Sequence, residues 1–186
     1  MLGTNGSFKE EIKANGRKVS AELIFQNTVL NDRYIVSISY TSQVNKRLGG
    51  IVRDVLNATV IDNGELGALT LGDGFYYKVY TENGSCVVGM FYVSRIKRNE
   101  ARKTIDIESV DILEHYRNSF KSPLPLMRNT TTHDYFREIG NYLNLTTSIE
   151  KDVFNHNLEF AYPTGSHFVT TLEDLGFAMQ ALIKVK

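Results

Sequence analysis

Turn signals, strand-like runs and helical periods, in that order along the chain, predict an α+β protein. An antiparallel β-rich unit should span residues 1–120, and a smaller α/β unit with two amphipathic helices residues 121–186. Two observations carry this expectation. Asn5-Gly6, Asn15-Gly16, Asn63-Gly64, Asn83-Gly84 and Asp73-Gly74 are dipeptides that tolerate the positive φ of tight hairpin turns, and β-branched or aromatic runs lie between them. Beyond Ser119–Leu126, which holds Pro123 and Pro125, the apolar period changes from two to the helical value.

Ser20–Phe25 reads as the first strand. In the next, Tyr34, Val36, Ile38 and Tyr40 alternate with Ser37, Ser39 and Thr41, as a half-buried strand should. Ile51–Ile61 and Thr104–Val110 read as two more. A turn at Asn83-Gly84 would pair Val79 with Val88, Tyr77 with Met90 and Phe75 with Tyr92, and paired residues share a face. One face would then be wholly apolar or aromatic, while the other would carry Tyr76, Tyr80, Val87 and Phe91. That second face is either an interface between copies or covered by the C-terminal helices.

Asp111 should cap a short helix to about Asn118. Thr131 and Asp134 should open a longer one, with Tyr135, Ile139, Tyr142 and Leu143 on its apolar face. Thr171 and Asp174 repeat the device forty residues on, before Leu175, Met179, Leu182 and Ile183, a match that capping and helical period alone suffice to produce.

Composition removes whole classes of function. The chain has 186 residues and balances 21 basic against 21 acidic side chains, which argues against a partner recognised mainly by its phosphates. Its densest basic stretch, Arg95–Lys103, is broken by Glu100. One cysteine, Cys86, allows no internal disulfide framework and no cysteine-based zinc knuckle. The longest apolar run, Cys86–Val93, is far too short to span a bilayer, and Met1–Ser7 lacks the apolar stretch of a secretory signal. Disorder is expected only in the first dozen residues.

Motifs for chemistry are sparse. His115, His133, His156 and His167 form no paired metal-ligand spacing, and Cys86 has no adjacent base. Gly64–Gly67 and Gly72–Gly74 lack the Lys-Ser/Thr of a phosphate loop. Asp106 and Glu108 would lie roughly 7 Å apart on one strand face, within the range of about 5–9.5 Å that glycoside hydrolysis uses. They are also what the solvated face of a half-buried strand ordinarily carries. The sequence therefore designates no catalytic, cofactor-binding or metal-binding residue. A hydrolase using Asp106 and Glu108, or a glycan-binding β module, stands as the alternative.

From Gly89 to Leu113 the sequence resembles the hairpin of long-tailed bacteriophage tail-tip and baseplate-hub proteins, with Gly89, Phe91, Val93, Thr104, Ile107, Ser109 and Asp111 at matching places. Leu48-Gly49-Gly50 before the Ile51–Ile61 strand, Ile139–Leu145 and Thr170–Gly176 fit the same family, so the resemblance covers about residues 20 to 183. It implies a structural virion protein of the tail's distal end, with a tube-like β domain. It also implies a homotrimeric ring joined to distal tail and tail-tube proteins, through which DNA passes without specific binding. No membrane insertion by this chain is expected. Members are usually longer, so the chain would be a fragment or a minimal version. Their wall-cleaving activity does not carry over to it.

Overall fold

The computed structural model describes residues 19–44, 51–82, 84–117, 127–161 and 168–184. In chain order these form β1 (Ser20–Ile24), β2 (Val29–Leu30), β3 (Ile35–Val44), β4 (Val52–Ile61), β5 (Gly74–Thr81), β6 (Gly84–Asn99), β7 (Thr104–Val110), α1 (Ile112–Arg117), β8 (Met127–Thr131), α2 (Thr132–Tyr142), β9 (Asn157–Ala161) and α3 (Phe168–Met179). The fold class is α+β, as the sequence predicts. Two compact units are present. One holds the described parts of Met1–Thr41 and Asp54–His115, the other those of Ser42–Arg53 and Tyr116–Val185. The turns at Asn5-Gly6 and Asn15-Gly16, the N-terminal disorder, Leu48–Gly50, the proline-containing connection, Asn83 and His167 fall outside the described residues.

Strands β1 to β7 form one sheet in the order β2-β1-β5-β6-β7-β4-β3. Its core gathers Leu23, Phe25, Leu30, Leu56, Val60, Phe75, Phe91, Val93, Ile105 and Ile107, with Ile38, Tyr77 and Ile96 packed against them. Although β3 is an edge strand, Tyr40 packs edge-on against Phe91 of β6 at 6.1 Å and tilts over Tyr77 of β5 at 6.5 Å. The sheet must therefore curl strongly about its core. Two bulges in the sixteen-residue β6 supply the bend. Tyr77 faces Gly89 while Lys78 faces Val87, so Val88 is an extra residue; Val93 faces Ser109 while Arg95 faces Glu108, so Ser94 is another.

The hairpin register read from the sequence fails twice: beside the turn it is displaced by two residues, and beyond Lys78 the first bulge changes the offset again, to one. Thr81 pairs with Gly84, Val79 with Cys86, Tyr76 with Met90 and Phe75 with Phe91. The extra residue flips the side-chain alternation of β6, so Cys86 and Phe91 both point into the core although five positions separate them. Phe91 is 1% exposed and stands in the core, not on the outer face. The Asp73-Gly74 turn also shifts: the positive φ, +88°, belongs to Gly72, and Gly74 already lies in β5. A Cβ on Gly74 would stand 2.8 Å from the Met90 methyl, so the missing side chain leaves room for Met90 and the Tyr92 ring. In β3 the expected alternation fails: Ile38 packs on the core, but so does Ile35 from the other parity, while Val36 is 59% and Tyr40 37% exposed.

In the second unit, β8 and β9 form an antiparallel hairpin that flanks α2 in sequence, two strands the helical pattern concealed. Thr131 caps α2 by accepting the Asp134 N–H, as expected. The buried side of α2 is Thr132, Tyr135, Ile139 and Gly140, whereas Tyr142 is 43% exposed. Helix α3 begins at Phe168, so Thr171 is a buried first-turn residue and not its cap. The helix buries Leu172, Leu175 and Met179 and ends before Gln180, whose φ is +51°. Leu182 is exposed, and Ile183 lies beyond the helix in a parallel bridge to Ile51. Arg53 and Glu173 pair at 3.1 Å in the same unit.

Candidate interaction surface

Residues facing one another across an antiparallel ladder share a side of the sheet, so the outer surface of β1, β5 and β6 can be read in rows. Ile24, Tyr76 and Met90 form one row; Glu22, Lys78 and Val87 the next; Ser20, Tyr80 and Ser85 the third. Tyr76 is 47% and Val87 48% exposed, so two central strands, β5 and β6, present an aromatic ring and an aliphatic side chain to solvent. Beside them the Tyr80 hydroxyl donates to Glu22, and the Lys78 ammonium sits 4.5 Å from the Tyr80 ring. The hydrogen bond with Tyr80 raises the Lys78 pKa. Of the four side chains expected on this face, Tyr76, Tyr80 and Val87 are here; Phe91 is not.

A row beyond Met90, Tyr92 and Val110 continue the face, and α1 covers part of it: His115 stacks on Tyr92 with ring centres 4.4 Å apart and planes 11° apart. Burial lowers the His115 pKa. The helix is held by Asp111. Its Oδ1 accepts the Glu114 N–H at 2.9 Å, its Oδ2 accepts the Asp54 N–H at 2.7 Å, and its own N–H donates to the Asp54 carbonyl at 3.0 Å. Burial raises the Asp111 pKa, with both N–H donors pulling the other way.

Asp106 and Glu108 occupy the solvated side of β7. Asp106 accepts the Thr59 hydroxyl at 2.8 Å and faces Lys97, while Glu108 pairs with Arg95 at 3.2 Å. Each carboxylate thus has a cross-strand partner, the arrangement of a polar sheet face. Cys86 is buried opposite Val79, and burial raises its pKa, the reverse of what a nucleophilic thiol requires. His133 Nε2 lies 3.1 Å from the Phe154 carbonyl, and His156 stacks on the Phe154 ring. Among the described residues, no three His, Cys, Asp or Glu side chains converge as a metal site would need. None of the helices described is long and apolar enough to cross a membrane. An open cleft of about 330 Å³ lies between the β1–β2 turn and the loop before β5, floored by Phe25, Leu66 and Leu69. One oxygen of its Asp73 carboxylate is taken by the Thr70 N–H.

Among solved structures the chain is similar to the 43 kDa tail protein of prophage MuSo2 from Shewanella oneidensis, with a TM-score of 0.52 at 12% identity. The match covers 92% of this chain and 53% of that one, so the chain spans about half the length of the MuSo2 protein. At that identity the likeness is one of fold. No protein-family model and no curated protein sequence matches the chain.

Proposed function

We propose that the chain is a structural component of a phage or prophage tail, placed in the tail tip or baseplate hub at the distal end. There it assembles with copies of itself into a ring linking the tail tube to host-contacting parts, and it performs no bond chemistry. The observation that carries this is the fold likeness to a prophage tail protein over 92% of the chain. The Tyr76–Val87 face supports it, because an exposed aromatic ring beside an exposed aliphatic side chain on central strands suits an interface better than an ordinary solvated face.

The reading is tested in particles of the phage or prophage that carries the gene. Purified tails should contain this chain by mass spectrometry, and antibody labelling should mark one tail end. Deleting the gene should leave particles that are tailless or do not adsorb. Intact, infectious particles lacking the chain would refute the proposal. In parallel, Tyr76→Glu should leave the circular dichroism spectrum unchanged and block incorporation into tails.

A further inference from the structure

The two edges of the seven-stranded sheet are built differently. At one, β2 is only two residues long, and the exposed side of β1 is blocked where the Ala21 N–H donates to Asp32 Oδ1 at 2.8 Å. At the other lies β3, ten residues long, with no further strand beyond it among the described residues. Edge strands are normally defended against pairing with other chains by charges, proline, bulges or short length. The segment Ile-Val-Ser-Ile-Ser-Tyr-Thr-Ser-Gln-Val carries no charged residue, no proline and no glycine. Its start is pinned to β4, since the Ile61 N–H donates to the Tyr34 carbonyl at 2.7 Å, so the strand is held extended and in place.

We propose that β3, over its first-unit stretch 36–41, beyond Ile35 whose N–H is taken by the Asn31 carbonyl, pairs antiparallel with β3 of a second copy of this chain. An extended edge offers alternating N–H and C=O groups, and only another extended backbone can satisfy them in series. A second copy fits the side chains too. With the axis at Ile38, Ser37 meets Ser39, and with it at Ser39, Ser37 meets Thr41, so small hydroxyl residues face one another with no like charges opposed. A strongly acidic or basic partner strand would find nothing complementary there. The symmetry is two-fold, so the contact closes after two copies. A three-fold ring would use a different surface, such as the Tyr76–Val87 face. One strand pair lies at the small end of stable interfaces, which makes the dimer concentration-dependent.

Antiparallel pairing across a two-fold axis normal to the sheet makes one residue of β3 face its own copy, because opposed side chains must share a side. Directly opposed Cα atoms are about 4.5–5.5 Å apart, within disulfide range. The double variant Ser37→Cys/Ser39→Cys therefore crosslinks between copies for an axis at Ser37, Ile38 or Ser39. Sedimentation equilibrium on the full chain should show a monomer–dimer equilibrium, and Ser37→Lys/Ser39→Lys should abolish the dimer while the circular dichroism spectrum is kept. Mild oxidation should convert the cysteine variant to a covalent dimer. A wild-type chain that stays monomeric at its solubility limit, an oligomer that persists in the lysine variant, or no crosslink would overturn the proposal. These outcomes are independent of whether the chain is found in tails.

Discussion

Asp111 joins three backbone segments through one buried carboxylate, and Asp111→Ala should expose how much that junction contributes. The substitution removes the α1 cap, typically worth about 1 kcal/mol. It also leaves the buried Asp54 N–H without its acceptor, at about 1–3 kcal/mol. The combined loss is about 2–4 kcal/mol, a large share of the ~5–15 kcal/mol that holds a typical domain. Asp111→Asn keeps one acceptor oxygen and should lose roughly half as much. Urea titration followed by far-ultraviolet circular dichroism measures both. The pH dependence has a definite sign. Burial holds the folded-state pKa of Asp111 above its ordinary value of 3.8, so the folded chain binds this proton more tightly than the unfolded one. The resulting stability is fully present below the unfolded pKa and is lost as pH rises through the raised value. Wild type should therefore lead Asp111→Asn by most in acid and by less near neutrality. An Asp111→Ala loss under about 0.5 kcal/mol, or a lead that grows with pH, would refute the account.

Two further outcomes follow from particular contacts. The His115 pKa is depressed, so the stability its neutral ring contributes is present above its ordinary value of 6.5 and is lost as pH falls through the folded-state value. Thermal unfolding below pH 6.5 should show that loss, on the scale of the ~0.5–1.5 kcal/mol of an aromatic pair, and His115→Phe should remove the dependence while keeping the stack on Tyr92. Gly140→Ala should destabilise the second unit by about 1–3 kcal/mol despite the better helix propensity of alanine, because the new Cβ would overlap the Thr147 side chain and approach the Leu145 carbonyl at 3.2 Å. Chemical denaturation followed by helical ellipticity checks it, and a stabilised variant would contradict the packing.

What the sequence revealed and what it hid divide along physical lines. Strands β1, β4 and β7 and the caps Asp111 and Thr131 were legible because each depends on neighbours a few residues away: a period of two, or a side-chain oxygen reaching an N–H three residues on. The face of β6 was not, since a bulge at Val88 is a tertiary solution to bending the sheet and leaves no mark in a hydrophobic alternation. Counting outward from Asn83-Gly84 therefore put Phe91 outside, when its pairing with Phe75 puts it in the core. Val36 and Tyr40 fit an alternation in β3 yet are exposed, while Ile35 and Ile38 are the residues packed on the core, so the period of two misplaced the buried side of this strand. β8 and β9 escaped notice for a related reason: a two-stranded ribbon with mostly exposed side chains has no buried face to impose a period. Of the interaction surface, Tyr76, Tyr80 and Val87 were visible in the sequence, while the undefended edge of β3 became visible only once the strand order was known.

The charge balance of the whole chain acquires local meaning on this sheet. Neutrality could arise from a basic region offset by an acidic one elsewhere, and such a protein would still grip a phosphate backbone with its basic part. Here charges meet their opposites across neighbouring strands, Arg95 with Glu108, Lys97 facing Asp106 and Glu22 facing Lys78, and Arg98 reaches Asp62 just past β4 at 3.4 Å. Exposed pairs of this kind add little stability, at most about 1 kcal/mol each. Their effect is on the field instead, because a cation with an anion beside it contributes little potential beyond a Debye length. A sheet surface neutralised pair by pair offers no continuous basic track. Among the described residues, the exposed Tyr76–Val87 face and the long edge of β3 are therefore the surfaces of this sheet best suited to a neutral partner.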